Sequence, residues 1–398
     1  MTAQEERQVE IKTVMRAAVP LALGAVVLAG CGSSSSGGKN NGGGKKTIAL
    51  AYQGPLSGDN AQLGINMDNA VKLAVKQAND KGDLPFTLKF VDADDQGTPD
   101  GGPPAAQKLI GEADVLAVVG PAFSGATKAS EPLFSQANLL SVSPSATNPK
   151  LTSLGFTTFY RVVPPDDAQG KEAANYLAKV IKAKKVYSID DKSEYGVGLS
   201  GVLEPQLKSD GVSVTHDGIP PTKDYSAEAQ KVAGAKPDAV YYSGYFADFA
   251  LFTKALKAAG YKGPLMGGDG DKDQQYVVQA GASNAEGTLF SCPCADATVD
   301  PKAADFAAAY KAMFNADPGT YSPEAYDAAN SIISVLKGLG ANATRKQVAD
   351  AYKTVDFQGL TKEIKFSPTG EVSGTTIFIY QVKAGKIAVL GTTADLIK

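Results

Sequence analysis

Two hydroxyl-rich turns are the first places where this chain could do chemistry. Phe123-Ser124-Gly125-Ala126-Thr127 follows the apolar run Val115 to Val119 and the break Gly120-Pro121. Ser143-Pro144-Ser145-Ala146-Thr147-Asn148-Pro149 follows the apolar run Leu139 to Val142. Each run reads as a buried parallel strand closed by turn residues. The first turn opens a helical pattern, Lys128 to Gln136. Free N–H groups at a helix start point outward and favour an anion. Ser124 and Thr147 are therefore expected to hold a carboxylate. Turn composition alone leaves a plainer role open, because Ser and Thr at such turns commonly serve only as N-caps.

The rest of the composition removes several chemistries. Net charge is −3, with acids and bases interspersed, and no basic run or Cys/His finger points to nucleic acid. There is one histidine, His216, and no tryptophan. That argues against most zinc sites and against a Ser-His triad that does not use His216. His216 falls at a strand end and reads as structural. With no GxSxG and no HExxH, a hydrolase on an α/β scaffold is disfavoured. We expect no catalytic residue, no metal and no cofactor.

The elements that must position the two turns form a repeating pattern. Strands are expected at Thr47–Ala51, Phe86–Val91, Val115–Val119 and Leu139–Val142, with helices at 62–80, 104–111 and 128–136 between them. This β-α-β alternation is that of a doubly wound parallel sheet. It then restarts. Strands Lys185–Asp190, Val212–His216 and Ala239–Ser243 alternate with helices at 167–182, 197–210, 226–233 and 248–260, up to Leu265-Met266-Gly267. The last third breaks the tandem, with a strand at Gly287–Ser291, helices at 303–315 and 325–339, and a terminal hairpin turned by Lys383-Ala384-Gly385. A chain of 398 residues suits two α/β lobes, with the C-terminal third completing both.

The N-terminus reads as an export signal. Arg16 precedes an apolar stretch too short to span a membrane as a stable helix. Leu28-Ala29-Gly30-Cys31 ends it, and small residues before a cysteine are similar to a lipobox, which implies lipid attachment at Cys31. An ordinary signal peptide with a chance cysteine is the alternative. Glu5, Glu6 and Glu10 are atypical of a signal's charged end, so starts at Met1 and Met15 both stay open. Gly32 to Lys46 carries no apolar residue to bury and reads as a flexible tether.

The chain as a whole resembles the leucine/isoleucine/valine-binding proteins of ABC importers. The matching pieces, in family order, are GPLSGDNAQLG (54–64), SVSPSATNP (141–149), DDKSEYGVGL (190–199), VYYSGYFAD (240–248) and LMGGDG (265–270). The resemblance implies two doubly wound Rossmann-like lobes joined by a three-strand hinge, the type I periplasmic binding protein fold. Expected divisions are 1–30 signal peptide, 31–46 tether, 47–163 plus 292–373 lobe one, and 164–291 plus 374–398 lobe two. It also implies roles. Ser124 and Thr147 match positions that bind an α-carboxylate. The Ser145 carbonyl, Thr147 and Asp269 match positions facing the α-ammonium. Leu63, Tyr195, Tyr245 and Tyr321 match the pocket wall. The implied partners are a small amino acid, a permease and ATPase, and the membrane through the lipid anchor, with the chain exported and monomeric. A ligand-sensing module, or a binder of aliphatic amides or urea on the same fold, is the alternative.

Departures from the family are informative. Leu63 stands where a larger aromatic is usual, which predicts a roomier pocket. Asp269 is one methylene shorter than the usual glutamate. The lobe-one disulfide of the family is missing, its positions falling near Gln96 and Phe123. Two other motifs are decoys: Gly196 to Gly201 spells GxGxxG with no well-placed acid for a ribose, and the loop from Asp269 lacks the glycine and glutamate of a calcium site. Cys292-Pro293-Cys294 is read as a structural or oxidised pair near a hinge crossing, over a redox or metal role.

Overall fold

The computed structural model describes residues 45–398, so the expected signal, Cys31 and nearly all of the expected tether lie outside the described residues. The first sheet is built from β1 (Thr47–Gly54), β2 (Thr87–Asp94), β3 (Val115–Val119), β4 (Leu140–Ser143) and β5 (Phe159–Arg161). All its neighbours are parallel and the order is β2-β1-β3-β4-β5. Its connecting helices are α1 (Ala61–Lys81), α2 (Gly102–Gly111) and α3 (Ser124–Gln136). All five residues of β3 are buried, as a strand covered on both faces requires.

After α4 (Asp166–Lys179) the same construction is repeated. β6 (Lys185–Asp190), α5 (Glu194–Ser209), β7 (Ser213–Gly218), α6 (Ser226–Ala235), β8 (Ala239–Ser243), α7 (Phe246–Ala258) and β9 (Leu265–Gly267) follow. The short helices α8 (Gln274–Ala280) and α9 (Ala282–Ala285) then lead to β10 (Leu289–Cys292). The parallel part of this sheet runs β7-β6-β8-β9-β10, the same order as the first sheet. An order of this kind reverses direction beside the first strand, and the crevice beyond the carboxyl ends there receives ligands.

The C-terminal third serves both sheets. α10 (Ala304–Phe314) and α11 (Ser322–Leu339) pack against α1, and α12 (Arg345–Tyr352) lies against β3 and β4. Arg345 fixes that docking by donating to the carbonyls of Ile110, Glu112 and Val115. A two-stranded ribbon, β11 (Phe357–Gln358) with β12 (Glu363–Ile364), precedes the return. β13 (Phe378–Lys383) and β14 (Lys386–Thr392) then join the second sheet antiparallel beside β10, and α13 (Thr393–Leu396) ends the chain.

The chain therefore passes between the sheets three times: after Arg161, after Cys292 and before Phe378. These crossings are tied together. Arg161 is fully buried, and its Nε donates to Glu371 Oε2 at 2.7 Å, joining the first crossing to the third. Tyr380 Oη donates to the carbonyl of Cys294 at 2.7 Å, joining the third to the second. Cys292 and Cys294 are disulfide-bonded, with Cα atoms 5.1 Å apart, and both are buried.

Candidate functional site

The residues expected to meet the ligand sit at or just beyond the carboxyl ends of strands, on α1 facing those ends (Leu63), or just before α11 (Tyr321). Ser124 is the first residue of α3, which follows β3, so that helix starts four residues earlier than its pattern suggested. The first bond of its ladder is Thr127 N–H to Phe123 O, 2.8 Å. The amides of residues 124–126 therefore have no partner within the helix, which suits an anion. Ser145 and Thr147 follow β4, while Tyr195, Tyr245 and Asp269 follow β6, β8 and β9. The two sheets present these ends to one another.

Between them lies a cavity lined by Leu63, Phe123, Ser124, Ser145, Tyr195, Tyr245, Asp269 and Tyr321, with Met67, Ala122 and Gly270. Of the residues expected to meet the ligand, Thr147 is the one outside this lining. It is fully buried, its Oγ1 has no hydrogen-bond partner, and its carbonyl accepts the Asp166 N–H at 2.9 Å. Ser145 turns its hydroxyl away, donating to Ala122 O at 2.7 Å. Ser124 Oγ accepts the Asn148 N–H at 3.3 Å, which links the two hydroxyl-rich turns.

Asp269 is the acidic pole. It is 3% exposed, and its two oxygens accept from Tyr195 Oη at 2.7 Å and Tyr321 Oη at 2.6 Å. Burial raises its pKa, and the two phenols partly offset that. Gly270 follows because nothing larger fits: a Cβ there would lie 2.5 Å from Gly244 O and 2.8 Å from the Tyr195 ring.

Three residues in or beside this cavity escaped the sequence reading. Met67 stands one turn after Leu63 on α1, a spacing that signals a shared face. Phe123 stacks on Tyr245 across the cleft, ring centroids 4.2 Å apart and planes 16° from parallel. Its ring also packs on Gly97, where a Cβ would come within 2.8 Å. An aromatic contact thus occupies the region where the resemblance expects a disulfide. Asp166, the first residue of α4, is fully buried and neither carboxylate oxygen has a hydrogen-bond partner. Burial first, then the charge of Asp269, push its carboxyl well above the usual range. Arg161, whose charge opposes that shift, is already engaged by Glu371 and by the carbonyls of Ala146 and Asn148. Two buried acids with one committed cation make a site that favours an incoming positive charge.

The cleft is shut by direct contacts. Asn148 Nδ2 donates to Glu194 O at 2.6 Å, Asn66 Nδ2 to Asp273 Oδ2 at 3.1 Å, and the Ala247 N–H to Asn60 Oδ1 at 3.2 Å. Lys128 pairs with Glu194 at 3.0 Å nearer solvent. The GxGxxG stretch lies within α5, and His216 lies on β7 between Asp190 and Glu204, at 3.1 and 2.6 Å. Among the described residues no group of three His, Cys, Asp or Glu is arranged to hold a metal ion.

Two like-ordered sheets, a three-crossing hinge and a cavity between carboxyl-terminal strand ends define a two-lobed binding protein. The model of the periplasmic binding protein family matches residues 47–386, and this chain belongs to that family. A Leu/Ile/Val-binding protein homolog of Brucella melitensis is 32% identical over 346 residues, 85% of this chain and 92% of that protein. A leucine-, isoleucine-, valine-, threonine- and alanine-binding protein of Pseudomonas aeruginosa is 29% identical over 339 residues, 84% of this chain and 90% of that one. Among solved structures, the branched-chain amino acid transporter substrate binding protein of Streptococcus pneumoniae, in complex with isoleucine, is similar with a TM-score of 0.79 and 28% identity. It covers 87% of this chain and 100% of that one.

Proposed function

We propose that this chain is the extracytoplasmic solute-binding component of an ABC importer and captures a branched-chain or related small amino acid. The observation that carries the reading is the division of labour around one cavity. Ser124 and the open amides of α3 come from the first sheet, Asp269 comes from the second, and apolar groups lie between them. A zwitterion leaving water needs both charges met, because an unpaired buried charge costs several kcal/mol. The carboxylate goes to Ser124 and Thr147. The ammonium goes to Asp269, the Ser145 carbonyl and Thr147, with Asp166 adding to the negative field.

Leu63, Met67, Tyr195, Tyr245 and Tyr321 exclude water from an aliphatic side chain. The head group completes its contacts only when the lobes close, and that difference in contact energy drives closure. The hinge divides the chain into residues 47–163 plus 292–373 and residues 164–291 plus 374–398. No covalent step is needed, so the protein acts as a binder and not as an enzyme. A lipid on Cys31 and the 31–46 tether would hold it at the outer face of the membrane, beside its permease and ATPase, as a monomer.

Calorimetric titration with the twenty amino acids and with short amides tests the reading. Saturable binding of leucine, isoleucine or valine is expected. A response confined to amides or urea would move the assignment to the amide-binding alternative, and no response to any of them would overturn the amino-acid reading.

A further inference from the structure

The hinge encloses a second cavity, of about 160 Å³, that shares no lining residue with the first. Its walls take Pro164 from the first crossing, Pro293 and Ala295 from the second, and Ser373 from the third. Glu324 on α11 and Lys362 complete it. Glu324 is 1% exposed; its Oε1 accepts the Ala295 N–H at 2.8 Å, and its Oε2 has no hydrogen-bond partner. Lys362 Nζ donates to Val162 O at 3.1 Å and not to Glu324. An acid and an ammonium thus border one cavity without bonding to each other. Each still feels the other's charge. Burial raises the Glu324 carboxyl to about 7 and lowers the Lys362 ammonium, while their mutual attraction opposes both shifts.

The neighbouring acids are otherwise engaged. Asp327 accepts from the Leu360 and Thr361 amides and from Thr361 Oγ1, and Asp300 Oδ1 accepts from the Lys302 amide.

We propose that this hinge cavity is a second binding site, for a small zwitterion whose ammonium meets the Glu324 carboxylate and whose carboxylate meets Lys362 Nζ. A lone anion would leave Glu324 unpaired, and a lone cation would face Lys362. A molecule carrying both charges satisfies both groups. Cavities for drug-sized ligands run to about 300–1,000 Å³, so this smaller one, of about 160 Å³, suits a small amino acid such as glycine or alanine. All three crossings contribute wall, so lobe motion reshapes the cavity. An occupant that prefers one lobe arrangement must therefore change affinity at the main cleft, and the reverse.

The test is calorimetric titration of the full chain with glycine, methylammonium chloride and sodium acetate, each with and without saturating leucine. Saturable glycine binding is expected in both conditions, with methylammonium and acetate each at least about tenfold weaker. E324Q retains an oxygen for the Ala295 amide and should bind glycine at least about tenfold more weakly. S373F, placed at an exposed wall position, should block glycine by filling the cavity and leave the fold intact. D269N separates the two sites: leucine binding should fall while glycine binding persists. The proposal is overturned if wild type takes up no glycine, if leucine displaces glycine competitively and D269N abolishes both, or if E324Q and S373F bind glycine as wild type does. Should E324Q fail to fold, S373F decides.

Discussion

Tyr321 donates its phenol to Asp269 Oδ2 at 2.6 Å from the opposite side of the cleft. Asp269 follows β9 in the second sheet, whereas Tyr321 precedes α11, which packs on α1 beside the first sheet. The bond therefore exists only with the cleft shut, and it orients the carboxylate that the ammonium is proposed to meet. Removing the phenol in Y321F leaves Asp269 with Tyr195 alone. A hydrogen bond to a charged group contributes about 1.5–3 kcal/mol, so leucine affinity should fall about 10- to 100-fold. Titration calorimetry measures it. Unchanged affinity would show that Tyr321 is only wall.

Asp269 itself should matter more. D269N keeps the shape and removes the charge, leaving the ammonium without its main counter-ion. Truncating one partner of a buried charged pair costs about 2–5 kcal/mol, so a loss of at least about 30-fold is expected. S124A should cost less, about tenfold, because the α3 amides still face the carboxylate. The ordering D269N worse than S124A is the checkable outcome.

The two acids also set a pH dependence. Asp269 and Asp166 both hold their protons to higher pH than ordinary carboxyls, burial being the main cause in each. An incoming ammonium favours their ionised forms and lowers both pKa values, so binding releases protons below the free-state pKa. Affinity should then rise with pH through that range and flatten above it, by up to about tenfold per pH unit for each proton released. Calorimetry in buffers of different ionisation enthalpy counts those protons. D166N should remove part of the slope.

A separate group sets stability against pH. Glu131 is fully buried in α3, and its only partner among the described residues is Ser141 Oγ, at 2.5 Å. Burial raises its pKa to about 8. A raised carboxyl favours the protonated fold. Its contribution is full below the unshifted value of about 4.5 and is lost as pH rises through about 8. E131Q should therefore melt higher than wild type at pH 9 and lose that part of the pH dependence. Thermal melts from pH 5 to 9 decide it; equal melting temperatures at pH 9 would contradict the raised carboxyl.

Much of this was legible in the sequence because the signal was burial. Lys185–Asp190 and Ala239–Ser243 form strands with the bounds their apolar runs suggested. β5 was missed because it has three residues and ends in Arg161, a charge that reads as surface until Glu371 is placed beside it. α12 was missed although Thr344 and Gln347 spell its capping box, which the structure forms. At the site, Met67 was accessible from its spacing to Leu63. Asp166 was not, because an acid in the first turn of a helix is ordinary and nothing local says that it is buried. Phe123 was hidden for another reason: its stacking partner Tyr245 lies far along the chain, in the other sheet's loops.

That stack yields the last prediction. Phe123 and Tyr245 meet face to face only when the cleft is shut, and such pairs contribute about 0.5–1.5 kcal/mol beyond the area they bury. F123A removes the stack, and it also leaves space against Gly97. The closed form should lose stability relative to the open one, so leucine must supply more of the closure energy and its apparent affinity falls about 3- to 10-fold. F123L keeps most of the apolar volume and loses the ring, so it isolates the stacking contribution and should fall between wild type and F123A. Solution scattering of the ligand-free protein gives the independent reading: a larger radius of gyration for F123A than for wild type, collapsing to the same value at saturating leucine. Identical scattering without ligand would mean that the stack forms only after the ligand has closed the cleft.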